Sequence, residues 1–260
     1  MKNVVLLFFA LVLIGNTQAQ VGIGTETPAS SAQLEVRSTN KGFLPPRMTA
    51  VQRDSIAGAV AGLILYCTNC GPNGELQVHN GSSWRNMTGA PASLPAIGQQ
   101  YRGGILAYVL QPADPGYDAN TPHGLVAAPE DQSDGIQWYN GVYVVTNATG
   151  TAIGTGNANT NTIVAVQGAG SYAAKLCYDL VLNGYSDWYL PSLDELHTLF
   201  VNRNAIGGFP FTGGIPTGDY WSSSEVIASN DKALQMWFNL GDYAQADKAT
   251  TYRVRAIRAF

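Results

Sequence analysis

The stretch Gly184-Tyr-Ser-Asp-Trp-Tyr-Leu-Pro-Ser-Leu-Asp-Glu-Leu196 decides how this chain is read. Ahead of it, Ala173, Leu176, Cys177, Leu180 and Val181 recur at three- and four-residue spacing, which predicts a helix with one apolar face. Asn183-Gly184 reads as the stop of that helix, since both residues tolerate the left-handed conformation that closes a last turn. A second helix is expected from Ser192 to Phe200. Ser192 and Glu195 have the spacing of a capping box, in which hydroxyl and carboxylate each satisfy a backbone amide of the other residue. Leu193, Leu196, Leu199 and Phe200 form the stripe that this helix buries.

Around these helices the pattern is one of strands. Gly103 to Leu110 is a short, largely apolar run consistent with a buried strand, and Ala233–Leu240 and Thr251–Phe260 read as strands separated by a polar turn, Gly241 to Lys248. The run Thr149 to Asn161 is rich in Gly, Thr and Asn, but it lacks the strand-turn-helix frame of a dinucleotide site. It is read as a surface loop leading into the next helix.

Further along come Tyr220-Trp-Ser-Ser-Ser-Glu225, Trp237 and a closing Arg253-Val-Arg-Ala-Ile-Arg258. From about Ile97 to Phe260, this order of motifs resembles the C-terminal domain of the Legionella collagen-like adhesin family. The resemblance implies an α+β domain with a C-type-lectin-like fold, related to that of formylglycine-generating enzymes and usually carried by exported proteins. The enzymes depend on a pair of active-site cysteines, whereas this domain has only Cys177, read as a buried thiol. The founding adhesin is associated with sulfated glycosaminoglycans. Here the net charge is -4 and Arg253, Arg255 and Arg258 are spread along a strand, so that specificity is not carried over.

The N-terminal end has a different character. Lys2, the apolar run Val4 to Ile14 and Thr17-Gln-Ala19 make residues 1–19 a secretory signal peptide, too short for a membrane span. Residues 20–88 are expected to form a small β-rich module of two or three strands with one helix near Val51 to Ala57. In it Val21-Gly-Ile-Gly-Thr25 and Pro46-Arg-Met-Thr49 resemble a recurrent segment of exported Bacteroidetes proteins. Leu76 and Val78 are expected to face inward on a half-buried strand, with Gln77 and His79 outward and Asn80-Gly81 turning the hairpin. So few large apolar groups cannot close a core alone, and self-association or packing on the second domain would complete it. Residues 89–96, Gly-Ala-Pro-Ala-Ser-Leu-Pro-Ala, are read as a linker, and 97–260 as the lectin-like domain.

Composition narrows the function. Only 12% of residues are charged and the balance is acidic, which gives no field to gather a phosphate backbone and excludes nucleic acid as partner. The compartment set by export favours oxidation, so Cys67 and Cys70, flanking a turn, are expected as a disulfide rather than a metal or redox motif. His79, His123 and His197 pair with no Ser or Cys at recognisable spacing, and His197 is read as a partly buried structural residue. Asp114, Asp118, Glu130 and Asp134 are the candidates for a calcium site, although Gly141 stands where an EF-hand needs its bidentate acid. No other cofactor is implied. Trp188, Trp221 and Trp237 are assigned to the core, whereas Trp138, Tyr139, Asn140 and Tyr143 are the candidates for a ligand-facing surface.

The expectation is an exported, non-catalytic adhesion protein, periplasmic, outer-surface or extracellular. It would recognise a surface glycan or protein and have no membrane span. The rivals are a secreted enzyme of unrecognised type and a structural fibre or envelope component.

Overall fold

A computed structural model describes residues 20–212, 215–216 and 218–260. The signal peptide expected over 1–19 lies outside the described residues. No helix among them is long and apolar enough to cross a membrane. The chain divides into two compact units, Met1–Pro45 and Pro46–Phe260.

The first unit contains two short parallel strands, β1 (Val21–Ile23) and β2 (Leu34–Val36). Val21 pairs with Leu34 and Ile23 with Val36, so the period of two brings all four apolar side chains onto one face of the ribbon. Glu35, on the opposite face, accepts the Ala29 amide at 2.7 Å and ties down the connecting loop. Gly22 is required by close approach, because a Cβ there would lie 2.4 Å from the Thr25 carbonyl oxygen.

The second unit begins with a four-stranded sheet, β3 (Arg47–Met48), β4 (Ile64–Cys67), β5 (Glu75–His79) and β6 (Trp84–Asn86), in that order. Helix α1 (Ala50–Asp54) crosses over between β3 and β4 and is started by a capping box of Thr49 and Gln52. The alternation expected on β5 is inverted: Gln77 and His79 are buried, and Leu76 and Val78 only half-buried. The buried Arg53 donates to the Gln77 side chain at 2.9 Å, so a satisfied polar pair takes the inner positions. Cys67 and Cys70 form the expected disulfide. Residues 89–96 run inside this unit, bridged to the sheet through Arg85 with Pro91 and Cys70 with Pro95. Residues 20–88 hold six short strands, β1 to β6, where two or three were expected.

Two further sheets follow. One has the order β17 (Ile257–Ala259), β9 (Gly124–Ala127), β8 (Gly104–Val109) and β7 (Gln100–Tyr101), so the last strand of the chain joins the first strands after residue 97. The other has the order β10 (Ser133–Gln137), β16 (Thr251–Val254), β13 (Asp219–Glu225), β14 (Lys232–Trp237) and β15 (Tyr243–Asp247). Residues 241–248, read as a polar turn, therefore contain strand β15. Between β10 and β13 lie helices α2 (Gly156–Gln167), α3 (Ala173–Tyr178), α4 (Leu193–Val201) and α5 (Arg203–Ile206), and a small hairpin of β11 (Phe211–Thr212) and β12 (Ile215–Pro216). The architecture is α+β, rich in sheet.

Strand β13 is buried on both faces. Trp221 joins a core with Trp138, Trp188 and Ile163, and Tyr220 joins a second with Phe238, Leu196 and Ile257. Ser222, Ser223 and Ser224 are also buried, and the Ser222 and Ser224 hydroxyls donate to the carbonyls of Leu234 and Gly150.

Helix α2 departs from the sequence reading, which left its first turns in a loop. Its inward side is Gly156, Asn159, Thr160, Ile163 and Gln167, a helical spacing occupied mostly by polar side chains. Each has a use. Asn159 holds the Gly150 carbonyl at 2.6 Å and the Thr160 hydroxyl accepts the Leu190 amide at 3.0 Å. Helix α3 ends at Tyr178, earlier than its apolar pattern suggests, and Val181 is exposed. Asn183 and Gly184, both at positive φ, instead form a two-residue turn that pairs Leu182 with Tyr185.

Candidate functional site

The aromatic segment 138–143 separates into two layers. Trp138 is fully buried, which corrects its assignment to a ligand-facing surface. Its indole N–H donates to the Ser222 carbonyl at 2.9 Å, and the Lys248 ammonium lies 4.8 Å from its ring centroid. Lys248 is itself buried and donates to the Glu225 carboxylate and to the Val144 and Asn230 carbonyls. Glu225 also accepts the amides of Thr146 and Asn147. Trp138 is thus the floor of a closed ion pair, where its ring cannot meet a ligand.

Asn140 is committed as well, with its backbone and side chain bonded to Gln167. Tyr139 and Tyr143 form the outer layer, stacked at 4.7 Å between centroids, with Tyr143 43% exposed. The Tyr143 hydroxyl donates to Asp247 at 2.6 Å, and that bond lowers the Asp247 pKa.

The four acids offered for calcium do not gather. Asp114 accepts from the Tyr108 hydroxyl and the Gln111 amide, both at 2.7 Å, and Asp134 accepts from Arg253. Among the described residues no group of three or more His, Cys, Asp or Glu side chains is placed to hold a metal. The closing arginines are likewise engaged: Arg255 bonds Asp131 at 2.7 Å, and Arg258 grips Asp187 through two bonds of 2.7 Å. Each cation is neutralised by a neighbouring acid, and the three are split between β16, the link after it and β17 of the other sheet rather than spread along one strand, so they offer no free basic stripe.

A groove lies elsewhere, where the tip of β9, the start of α2 and the 184–196 stretch meet. A cavity of about 290 Å³ bounded by Leu110, His123, Ile153 and Phe260 adjoins one of about 250 Å³ bounded by Thr160, Tyr178 and Trp188. Asn157, Asp187 and Tyr189 line both. Beneath them, Glu195 is fully buried without a cation. It accepts the Ser192 amide at 2.8 Å and the Gly154 amide at 2.9 Å, so the N-terminal ends of α4 and α2 both aim positive partial charge at it. Burial raises the Glu195 pKa against the pull of those amides. Gly156 admits this approach, since a Cβ there would stand 2.2 Å from a Glu195 oxygen.

The histidines differ from one another. His197 is exposed rather than partly buried. His79 is buried against the edge of Trp84. The Nδ1 atom of His123 lies 3.1 Å from the backbone oxygen of Phe260. Trp188 and Trp221 are core residues as expected, and Trp237 is half-buried. The Cys177 thiol is buried, and burial pushes its pKa up.

Two sheets, helices with buried polar side chains and a groove bordered by loops make up the scaffold of this part of the chain. Residues 128–258, slightly more than half of the chain, match the family model of the Lcl C-terminal domain, and the chain belongs to that family. Residues 22–100 match the model of a phage-tail-like trimerisation region. No curated protein matches the chain.

Proposed function

We propose that this is an exported, non-catalytic adhesin-like protein. Residues 22–100 assemble copies of the chain, and the domain that follows presents its loops to a surface glycan or protein. One observation carries the assembly. Val21, Ile23, Leu34 and Val36 lie on one face of the β1–β2 ribbon and are 54%, 56%, 55% and 43% exposed, and all but Val21, which directly precedes it, fall within the region that matches the trimerisation model. A ribbon of two short strands does not hold itself together in water, and contiguous exposed apolar side chains mark an interaction surface. Equivalent faces of further copies would cover it, and three copies is the number the matched region names.

The lectin-like plan of the domain is part of the same reading. Its support is the family membership, together with the joining of the last strand, β17, to the first strands in one sheet. Assembly makes weak single contacts useful, because linked sites raise overall binding by about 10²- to 10⁴-fold. The test is binding of the mature protein to glycan-coated and cell-envelope-coated surfaces, with and without Val21→Asp and Ile23→Asp together. Retention of wild-type binding should fall by at least about 10²-fold in the variant. Equal retention would refute the multivalent reading.

A further inference from the structure

We infer that the groove running from Phe260 past Asn157 and Asp187 to Tyr178 is a binding site for a short uncharged saccharide. The inference rests on the reading of the protein as a binding protein and names the ligand class and the place. The two cavities share three lining residues, so they lie side by side along Asn157 and Asp187. An aromatic ring borders each end, with Phe260 half-buried and Tyr178 47% exposed. Such rings offer flat, apolar faces to the C–H face of a sugar ring.

The middle is polar and its hydrogen-bonding groups are partly unused. Asn157 accepts from Asn161 at 2.7 Å through its amide oxygen, and its NH2 group has no partner among the described residues. Each Asp187 oxygen receives one bond from Arg258, which leaves a lone pair on each for a hydroxyl donor. His123 borders the same groove with its imidazole ring. Trp188 lines the same stretch, and its indole N–H is buried with no protein acceptor. Vicinal hydroxyls, each a donor and an acceptor, match this mixture.

The groove offers no surplus positive charge for an anionic glycan. No Lys or Arg lines either cavity, and the carboxylate in the groove is Asp187. Its bidentate partner Arg258 makes the pair net neutral, so a sulfate or uronate entering the groove would meet no surplus positive charge to hold it.

The experiment is a glycan array of neutral, sialylated and sulfated oligosaccharides probed with the mature protein. Calorimetric titration of the best neutral compound then compares wild type, Asn157→Ala, Tyr178→Ala and Tyr139→Ala. Asn157 and Tyr178 are exposed, so their replacement leaves the fold intact, which an unchanged melting temperature verifies. A neutral saccharide should register, and Asn157→Ala and Tyr178→Ala should each weaken it by at least about tenfold, while Tyr139→Ala leaves it unchanged. Binding of sulfated compounds alone, or neutral binding untouched by both groove variants, would overturn the inference. If binding instead disappears in Tyr139→Ala, the groove assignment fails and the adhesin reading survives. If the array and the coated cell envelopes are both blank, both fail.

Discussion

The β1–β2 ribbon and strand β13 handle the same problem in opposite ways. The ribbon leaves Val21, Ile23, Leu34 and Val36 on its surface, whereas the region around β13 buries serines, the Glu225–Lys248 pair and Arg255. Apolar exposure in one place and polar burial in the other show that hydropathy alone does not decide what is covered. A buried polar group persists where every bond it needs is present, and an exposed apolar face persists where another chain can cover it. The core around β13 is therefore complete within one chain, whereas the ribbon offers a face for partners.

The sharpest way to break this comparison is to remove one member of the buried pair. Lys248→Ala leaves Glu225 charged, buried and without its cation, a loss of about 3–5 kcal/mol. Against a total stability of about 5–15 kcal/mol, urea denaturation should find the domain unfolded or close to it. Trp138→Ala should cost a similar amount, about 3–5 kcal/mol, as a buried aromatic does. An unaltered urea midpoint for Trp138→Ala would return that residue to the surface.

A smaller effect is expected at the joint of the two helix ends. Gly156→Ala pushes a methyl group into the Glu195 carboxylate and the Ser192 amide, and overpacking of this kind costs about 1–3 kcal/mol. A melting temperature equal to wild type would show that the joint has room. The smallest effect concerns pH. The bond from Arg258 holds the Asp187 pKa below the ordinary carboxylate value of about 3.9. The unfolded chain therefore binds this proton first, so the contribution is complete above about pH 4 and is lost as pH falls through the lowered value. Asp187→Asn should flatten that acid limb and leave stability near pH 7 slightly reduced, as chemical denaturation across pH would show.

Much of the second unit is legible in the sequence. The Ser192–Glu195 capping box, the Gly103–Leu110 strand and the Cys67–Cys70 bridge are local devices whose geometry follows from spacing. Other elements are set by tertiary bonds that no local pattern announces. Helix α2 hides because its buried side is Asn159, Thr160 and Gln167, residues that favour loops until Gly150 and Leu190 supply partners. The inward side of β5 is chosen by Arg53, 24 residues away from Gln77. Of the proposed surface, Tyr139 and Tyr143 keep outward faces, while Trp138 follows Lys248 inward, a pairing 110 residues apart that its neighbours in sequence give no sign of. The groove escaped notice because its parts, Asn157, Asp187 and Phe260, lie on three separate motifs.

The central claim, that the N-terminal ribbon exists to be covered by further copies of the chain, is tested most directly by molar mass. Light scattering of residues 20–260 should give three chains per particle. Val21→Asp with Ile23→Asp should give a smaller particle that retains the melting transition of the Pro46–Phe260 unit. A wild-type protein that runs as a single chain, or a variant that keeps the wild-type mass, would contradict the account.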